Sequence, residues 1–339
     1  MSAFLHSFTQ AVFLLVLSQL MGVAHAAQPV RESEYLEIDG ARLYTLIRGD
    51  DETRPILLWL HGGPGGAERP LFRYYNGELE SRFIAVYYDQ RGAGRSFDAK
   101  ADPALLTIDR HLEDLDAVVD YLRKKLGKRQ VILAGHSWGG ALGLLYAEAH
   151  PGKVSALLAI APLIDARAGQ DEQYESVSHE ATKREDTKAL ETIEAAGHPP
   201  YDSVENSLAI EHLADRYGFV YHTKPHRMTM MLSGLLRGLA TPWEIPKIIR
   251  ANNVSLAAMK DEIDGLDLTT SVTSLDVPVY FLLGRFDHHV GSDIAAAYSS
   301  DLDAPHKEII WFEESAHNPP FEEPHKFNET VEQLVGRQP

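Results

Sequence analysis

Gly135-His136-Ser137-Trp138-Gly139 follows the apolar run Val131-Ile132-Leu133-Ala134 and leads into a helical run from Ala141 to His150. A serine between an apolar strand and a helix, with glycine two residues before and two after, has the form of a nucleophile elbow. The sharp turn forces the serine backbone into a strained conformation and holds its hydroxyl clear of the sheet. Such a turn closes only where its neighbours are small, which is a physical reason for both glycines. The pentapeptide alone has low specificity, because glycine and serine also mark ordinary turns. Its surroundings decide the reading.

Upstream, Tyr35 to Ile47 reads as a hairpin turning at Asp39-Gly40. Pro55 to Leu60 is a buried strand that runs into His61-Gly62-Gly63-Pro64-Gly65-Gly66, and Phe83 to Tyr88 is a strand ending in Asp89-Gln90-Arg91-Gly92-Ala93-Gly94-Arg95-Ser96. A helix follows with Leu112, Leu115, Val119, Leu122 and Leu126 on one face, stopped by Gly127. Downstream of the elbow, Val154 to Ala161 is a further strand. Strands that are apolar throughout and alternate with helices predict an α/β fold with a parallel sheet covered on both faces. From 166 to 270 the strand signals fade. Glu172 to Ala196 is dense in Glu and Lys, and Met228 to Leu239 is apolar, so this stretch is expected to be a helical insertion. Alternation returns with strands at Val277–Gly284 and Lys307–Phe312 and a last helix from Pro324 to Val335. The expected organisation is therefore a leader at 1–26, a core at 27–165, a helical cap at 166–270 and the rest of the core at 271–339.

A serine hydroxyl near neutral pH needs a base in hydrogen-bond reach and an acid to orient that base. On this kind of sheet the chain order is Ser, Asp or Glu, then His, each after a strand. Asp287 follows the strand ending at Gly284, and His317 follows the strand ending at Phe312. Ser137 is thus the expected nucleophile, His317 the general base and then acid, and Asp287 the group that sets the imidazole tautomer. A loop aspartate is more often a turn residue, and His317 is one of 16 histidines, so the pair is singled out by its joint placement. His288 and His289 flank Asp287, but adjacent side chains rarely converge on one ion, and no metal site is expected. The developing oxyanion needs N–H donors. Trp138 opens the elbow helix and supplies one. The glycine loop after the Pro55–Leu60 strand supplies the other, assigned to Gly63 with Gly62 as the alternative.

His-Gly-Gly-Pro-Gly at 61–65, Asp-Gln-Arg-Gly-Ala-Gly-Arg-Ser at 89–96 and Gly-His-Ser-Trp-Gly-Gly at 135–140 resemble the proline iminopeptidase group of α/β-hydrolases. Gly284-x-x-Asp287 and Ser315-Ala316-His317 fit the same group, and the resemblance covers roughly residues 40–165 and 275–330. It implies an eight-stranded, mostly parallel sheet with helices on both faces and a helical cap, with the 89–96 stretch a structural loop. It also implies an acyl-enzyme mechanism without a cofactor, and cap carboxylates that hold the substrate's free amine. A Trp-x-x-Trp-Glu-like segment early in the cap is absent; Trp243-Glu244 is a late partial counterpart. Glu172, Glu175 and Glu244 are the candidate amine ligands, with Glu180 beside them, and a solvated helix face is the ordinary role of such residues.

The chain has 339 residues, 44% hydrophobic, a net charge of −17 and no cysteine. Thiolate catalysis, disulfides and cysteine-based zinc sites are excluded, and an acidic surface speaks against nucleic-acid partners. Ala11 to Leu20 is largely apolar and Ala24-His25-Ala26 is a small-x-small cleavage pattern, which predicts export, to the periplasm or beyond, with cleavage between Ala26 and Ala27. No Lys or Arg precedes Arg31, so a retained anchor is the alternative. The apolar run is short for a membrane span, and none is expected after cleavage. The expected partner is a small molecule or short peptide. A peptidase acting on free N-termini is the first reading. An esterase, lipase or lactonase whose pocket is lined by Met228, Met230, Met231 and Leu232 is the second, and a binding protein without turnover the third. Epoxide hydrolase and dehalogenase chemistry is disfavoured, because those enzymes carry Asp at the position of Ser137.

Overall fold

The computed structural model describes residues 28–222 and 241–336; the expected leader at 1–26 and the apolar residues Met228, Met230, Met231 and Leu232 lie outside them. The chain opens with strands β1 (Val30–Ile38) and β2 (Ala41–Gly49), joined by Asp39-Gly40. Both turn residues have positive φ, 43° and 74°. That is the backbone a two-residue hairpin turn needs to match the twist of its strands. The hairpin starts at Val30, earlier than the alternation of Tyr35–Ile47 indicates.

Six further strands complete one sheet: β3 (Ile56–Leu60), β4 (Ile84–Tyr88), β5 (Val131–His136), β6 (Val154–Ile160), β7 (Val279–Gly284) and β8 (Lys307–Phe312). Their order is β1-β2-β4-β3-β5-β6-β7-β8. β2 runs antiparallel to both of its neighbours, and β4 through β8 pair in parallel. Every residue of β3, β4, β5 and β7 is buried. Successive side chains serve opposite faces: Ile56, Leu58 and Leu60 join one apolar cluster, Leu57 and Trp59 the other. The first cluster is closed by helices α2 (Ile108–Leu126) and α3 (Trp138–Ala149). The second is closed by α1 (Arg69–Asn76) and by a C-terminal helix, α11 (Pro324–Val335). Each buried Leu, Phe or Val contributes about 1.5–3 kcal/mol. α2 is capped by Thr107, whose hydroxyl accepts from the Arg110 N–H at 3.1 Å, and ends at Gly127 with φ 64°.

Between β6 and β7 the chain forms α4 (Ala166–Lys183), α5 (Thr187–Ala196), α6 (Val204–Tyr217), α7 (Glu244–Asp264) and the short α8 (Leu268–Ser271). α4, α5 and α6 share a small apolar core of their own, with Val177, Ala181, Ile193, Ile210 and Leu213. The chain leaves and re-enters the core side by side. Asp165 and Asp267 form an isolated bridge, the Leu268 N–H donates to the Ile164 carbonyl at 2.8 Å, and the Ala166 N–H to the Leu266 carbonyl at 3.0 Å. α9 (Ser292–Asp301) and α10 (Pro319–Glu322) complete the core. No helix among the described residues is long and apolar enough to cross a membrane.

Candidate active site

Ser137 joins β5 to α3 with φ 54° and ψ −118°, a conformation that L-residues rarely adopt. Its own backbone holds it there: the N–H donates to the Ile160 carbonyl at 2.9 Å, and its carbonyl accepts from Gly140 and Leu163. The two glycines are steric necessities. A Cβ on Gly135 would lie 2.2 Å from the Gly139 carbonyl oxygen, and one on Gly139 would lie 2.1 Å from that of Leu60.

Asp287 and His317 lie beyond the C-terminal ends of β7 and β8, at the same edge of the sheet as Ser137, and both are buried. Asp287 Oδ2 is 2.9 Å from His317 Nδ1, while Oδ1 accepts from the N–H groups of His289 and Val290 at 2.9 and 3.2 Å. Burial pushes the Asp287 carboxyl up, but His317 and, after it, the ring and N–H of His289 outweigh it and hold the group below the usual carboxylate range. A carboxylate at Nδ1 keeps the hydrogen there and leaves Nε2 as the basic nitrogen.

The glycine loop is braced from below. The Gln90 backbone N–H donates to His61 Nε2 at 3.0 Å, so the His61 hydrogen sits on Nδ1, which donates to the Gly62 carbonyl at 2.8 Å. The Gln90 side chain donates to the His61 carbonyl and accepts from Trp138 Nε1, both at 2.9 Å. One glutamine therefore ties the loop carrying Gly63 to the helix opened by Trp138. The rest of its loop is fixed by the buried Arg91–Asp114 pair, with two contacts of 2.7 Å, and by Ser96, which donates to the Asp89 carbonyl at 2.6 Å. Gly63 has φ 122° and is exposed; Trp138 is buried.

Sequence patterning singles out neither Glu68 nor the chemistry of His136. Glu68 Oε1 is 2.7 Å from His136 Nδ1, and His136 Nε2 is 2.9 Å from the His317 carbonyl oxygen. A carbonyl only accepts, so Nε2 carries a hydrogen, and a further proton is shared between Nδ1 and the carboxylate. Burial works against charge on His136, but the Glu68 carboxylate prevails and raises the imidazole above its ordinary value. The signal in the sequence is slight: a carboxylate two residues after a loop of four glycines, and a histidine inside the elbow itself.

The candidate carboxylates of the inserted helices have varied surroundings. Glu244 is held by Arg69 at 2.9 Å and Arg95 at 2.6 Å; burial pushes its carboxyl up, but Arg95, the Thr241 N–H and Arg69 bring it down to about 2. Glu172 Oε1 is 3.0 Å from His288 Nδ1. Glu175 lines an open cavity of about 440 Å³ with His179, Phe219 and His288, and Glu180, which also lines it, pairs with Lys183 and Arg184. His288 and His289 diverge, the latter meeting the Gln173 amide at 2.6 Å.

The profile described as the alpha/beta hydrolase fold matches residues 55–324. A probable aminopeptidase of Bacillus subtilis (strain 168) is 29% identical over 308 residues, 87% of this chain and 93% of that protein. A proline iminopeptidase of Saccharolobus solfataricus is 27% identical over 307 residues, 90% of this chain and 92% of its own. The crystal structure of a proline iminopeptidase-related protein from Thermus thermophilus superposes with a TM-score of 0.65 at 24% identity, covering 91% of this chain and 98% of that one, a likeness of fold. With an elbow at the end of β5 and an eight-stranded sheet behind it, the chain belongs to the alpha/beta hydrolase fold family, as a hydrolase of its proline iminopeptidase-like branch.

Proposed function

We propose that this protein is an exported serine aminopeptidase that removes an N-terminal residue, proline foremost, from small substrates with a free N-terminus. The reading is supported above all by the strained Ser137 standing at the same sheet edge as the buried Asp287–His317 pair, bonded at 2.9 Å. His317 Nε2 takes the Ser137 proton as Oγ attacks the scissile carbonyl carbon. The N–H groups of Gly63 and Trp138 hold the oxyanion. His317 then gives the proton to the departing amine. Water, deprotonated by His317, attacks the acyl-enzyme and releases the free amino acid and Ser137. Asp287 keeps the imidazole in its working tautomer throughout.

Among the cap carboxylates, Glu175 has the most open setting, whereas Glu172 is already held by His288 and Glu244 by Arg69 and Arg95. That same engagement favours a second reading, an esterase, lipase or lactonase, because Glu244 is neutralised by two arginines and offers little to a free amine. A prolyl arylamide and a blocked short aryl ester separate the two. Turnover of the arylamide, abolished in Ser137→Ala, is the expected result; efficient turnover of the blocked ester with no cleavage of any free-amine amide rejects the peptidase. A Ser137→Ala protein with full biological activity would reject catalysis itself. Export is checked by N-terminal sequencing of the protein recovered outside the cytoplasm, which should begin at Ala27.

A further inference from the structure

Glu68 belongs to the core, at the end of the glycine loop, and its two oxygens have different surroundings. Oε1 shares a proton with His136, whereas Oε2 is enclosed and has no hydrogen-bond partner among the described residues. A shielded carboxylate oxygen without a donor is costly unless water, an ion or a ligand supplies one. The location is informative. The point that a Cβ on Gly62 would occupy lies 3.1 Å from Glu68 Oε1 and 3.3 Å from Ser137 Cβ, so the carboxylate and the nucleophile flank one backbone position. In a substrate with a free N-terminus, the amine is one carbon away from the carbonyl under attack. A group that reads that amine must therefore stand close beside the nucleophile, which Glu68 does.

We infer that Glu68 is the ligand of the substrate's N-terminal ammonium, primary or prolyl, an assignment that rests on the aminopeptidase reading above. The subsite is then built on the core rather than on the cap. It is also tied to the base: through Oε1 and His136 the same carboxylate reaches the His317 carbonyl, 2.9 Å from His136 Nε2. Glu68 binds the amine, and His136 is a positioning residue for the loop that carries His317.

Two aryl esters with the same leaving group isolate the amine: one of proline, the other of cyclopentanecarboxylic acid, which has the same ring without the nitrogen. The wild-type protein should prefer the prolyl ester. Glu68→Gln should lower the prolyl-to-cyclopentyl ratio of kcat/KM by about 30- to 100-fold, the loss of one charged hydrogen bond in a shielded site. His136→Asn should lower kcat on both esters and leave the ratio in place. An equal fall on both esters in Glu68→Gln, matching His136→Asn, would make Glu68 a structural residue and overturn the inference. If Glu68→Gln does not fold, as judged by its thermal melt, Glu68→Asp carries the same readout, since it withdraws the charge by one methylene; an unchanged ratio there overturns the inference as well. A wild-type ratio near one would instead reject the aminopeptidase reading and the amine subsite with it.

Discussion

A Cβ on Gly139, in the elbow, would sit 2.1 Å from a backbone carbonyl oxygen, while one on Gly265, at the end of α7, meets nothing nearer than 3.4 Å. The two glycines stand for the two regions that hold them. At the C-terminal edge of the sheet, backbone meets backbone, and Ser137, Gln90, His61 and Asp287 each hold fixed hydrogen-bond partners. In the inserted helices, much of the polar order is short-range pairing at the surface, such as Arg167–Asp171, Arg184–Glu180 and Lys260–Asp264 along single helix faces. Such pairs contribute roughly 0.3–0.5 kcal/mol each. The edge has room for glycine alone at positions such as Gly135 and Gly139, whereas single pairs along the inserted helices contribute little each.

Substitutions test that contrast, and the largest effects belong at the edge. Ser137→Ala should lower kcat on a prolyl arylamide by about 10⁴- to 10⁶-fold, with the thermal melt nearly unchanged. Asp287→Asn should cost on the order of 10⁴ in kcat, because the amide reverses the imidazole tautomer; a loss below tenfold would mean that Asp287 does not orient the base. Gly139→Ala should destabilise the fold by more than about 4 kcal/mol in chemical denaturation, since a carbonyl of β3 must move. Gly265→Ala, by contrast, should be stabilising by about 0.4–1 kcal/mol, because φ is −88° there and the added methyl stiffens only the unfolded chain. Equal effects of the two alanines would dissolve the comparison.

Glu244 bridges the two regions, and pH reads its contribution. Its folded pKa of about 2 lies below the ordinary 4.5. The stability it supplies is present above pH 4.5 and is lost as pH falls toward about 2. Thermal melts across that window should therefore fall less steeply in Glu244→Gln than in the wild type, from a lower starting point near neutrality. Identical slopes would show that Arg69 and Arg95 do not depend on this carboxylate to dock α7.

The same contrast explains what could be read in the chain. Ile56–Leu60 and Ile84–Tyr88 are apolar at every position because both faces of the sheet are covered, so their strands are plain in the sequence. Ser137, Asp287 and His317 could be ordered because each directly follows a strand, β5, β7 and β8 in turn. α1 was not legible, as its buried face of Arg69, Phe72 and Asn76 includes two polar residues that pair only in the folded protein. α4, α5 and α6 merge in the sequence into one charged stretch. Their boundaries rest on single N-cap side chains, Asp165, Asp186 and Ser203, each accepting an N–H three residues on. Glu68 and His136 meet only because β3 and β5 are neighbours in the sheet, a pairing that no local pattern encodes.

The bridge between Asp165 and Asp267 has a consequence for the history of such a chain. An insertion whose two ends are stitched side by side closes its own loop, so the sheet experiences it as a short turn, whatever its length. Helices can be added, removed or exchanged beyond that stitch without moving a strand. A different set of helices can then ride on the same strands, with the sheet edge beneath left as it is.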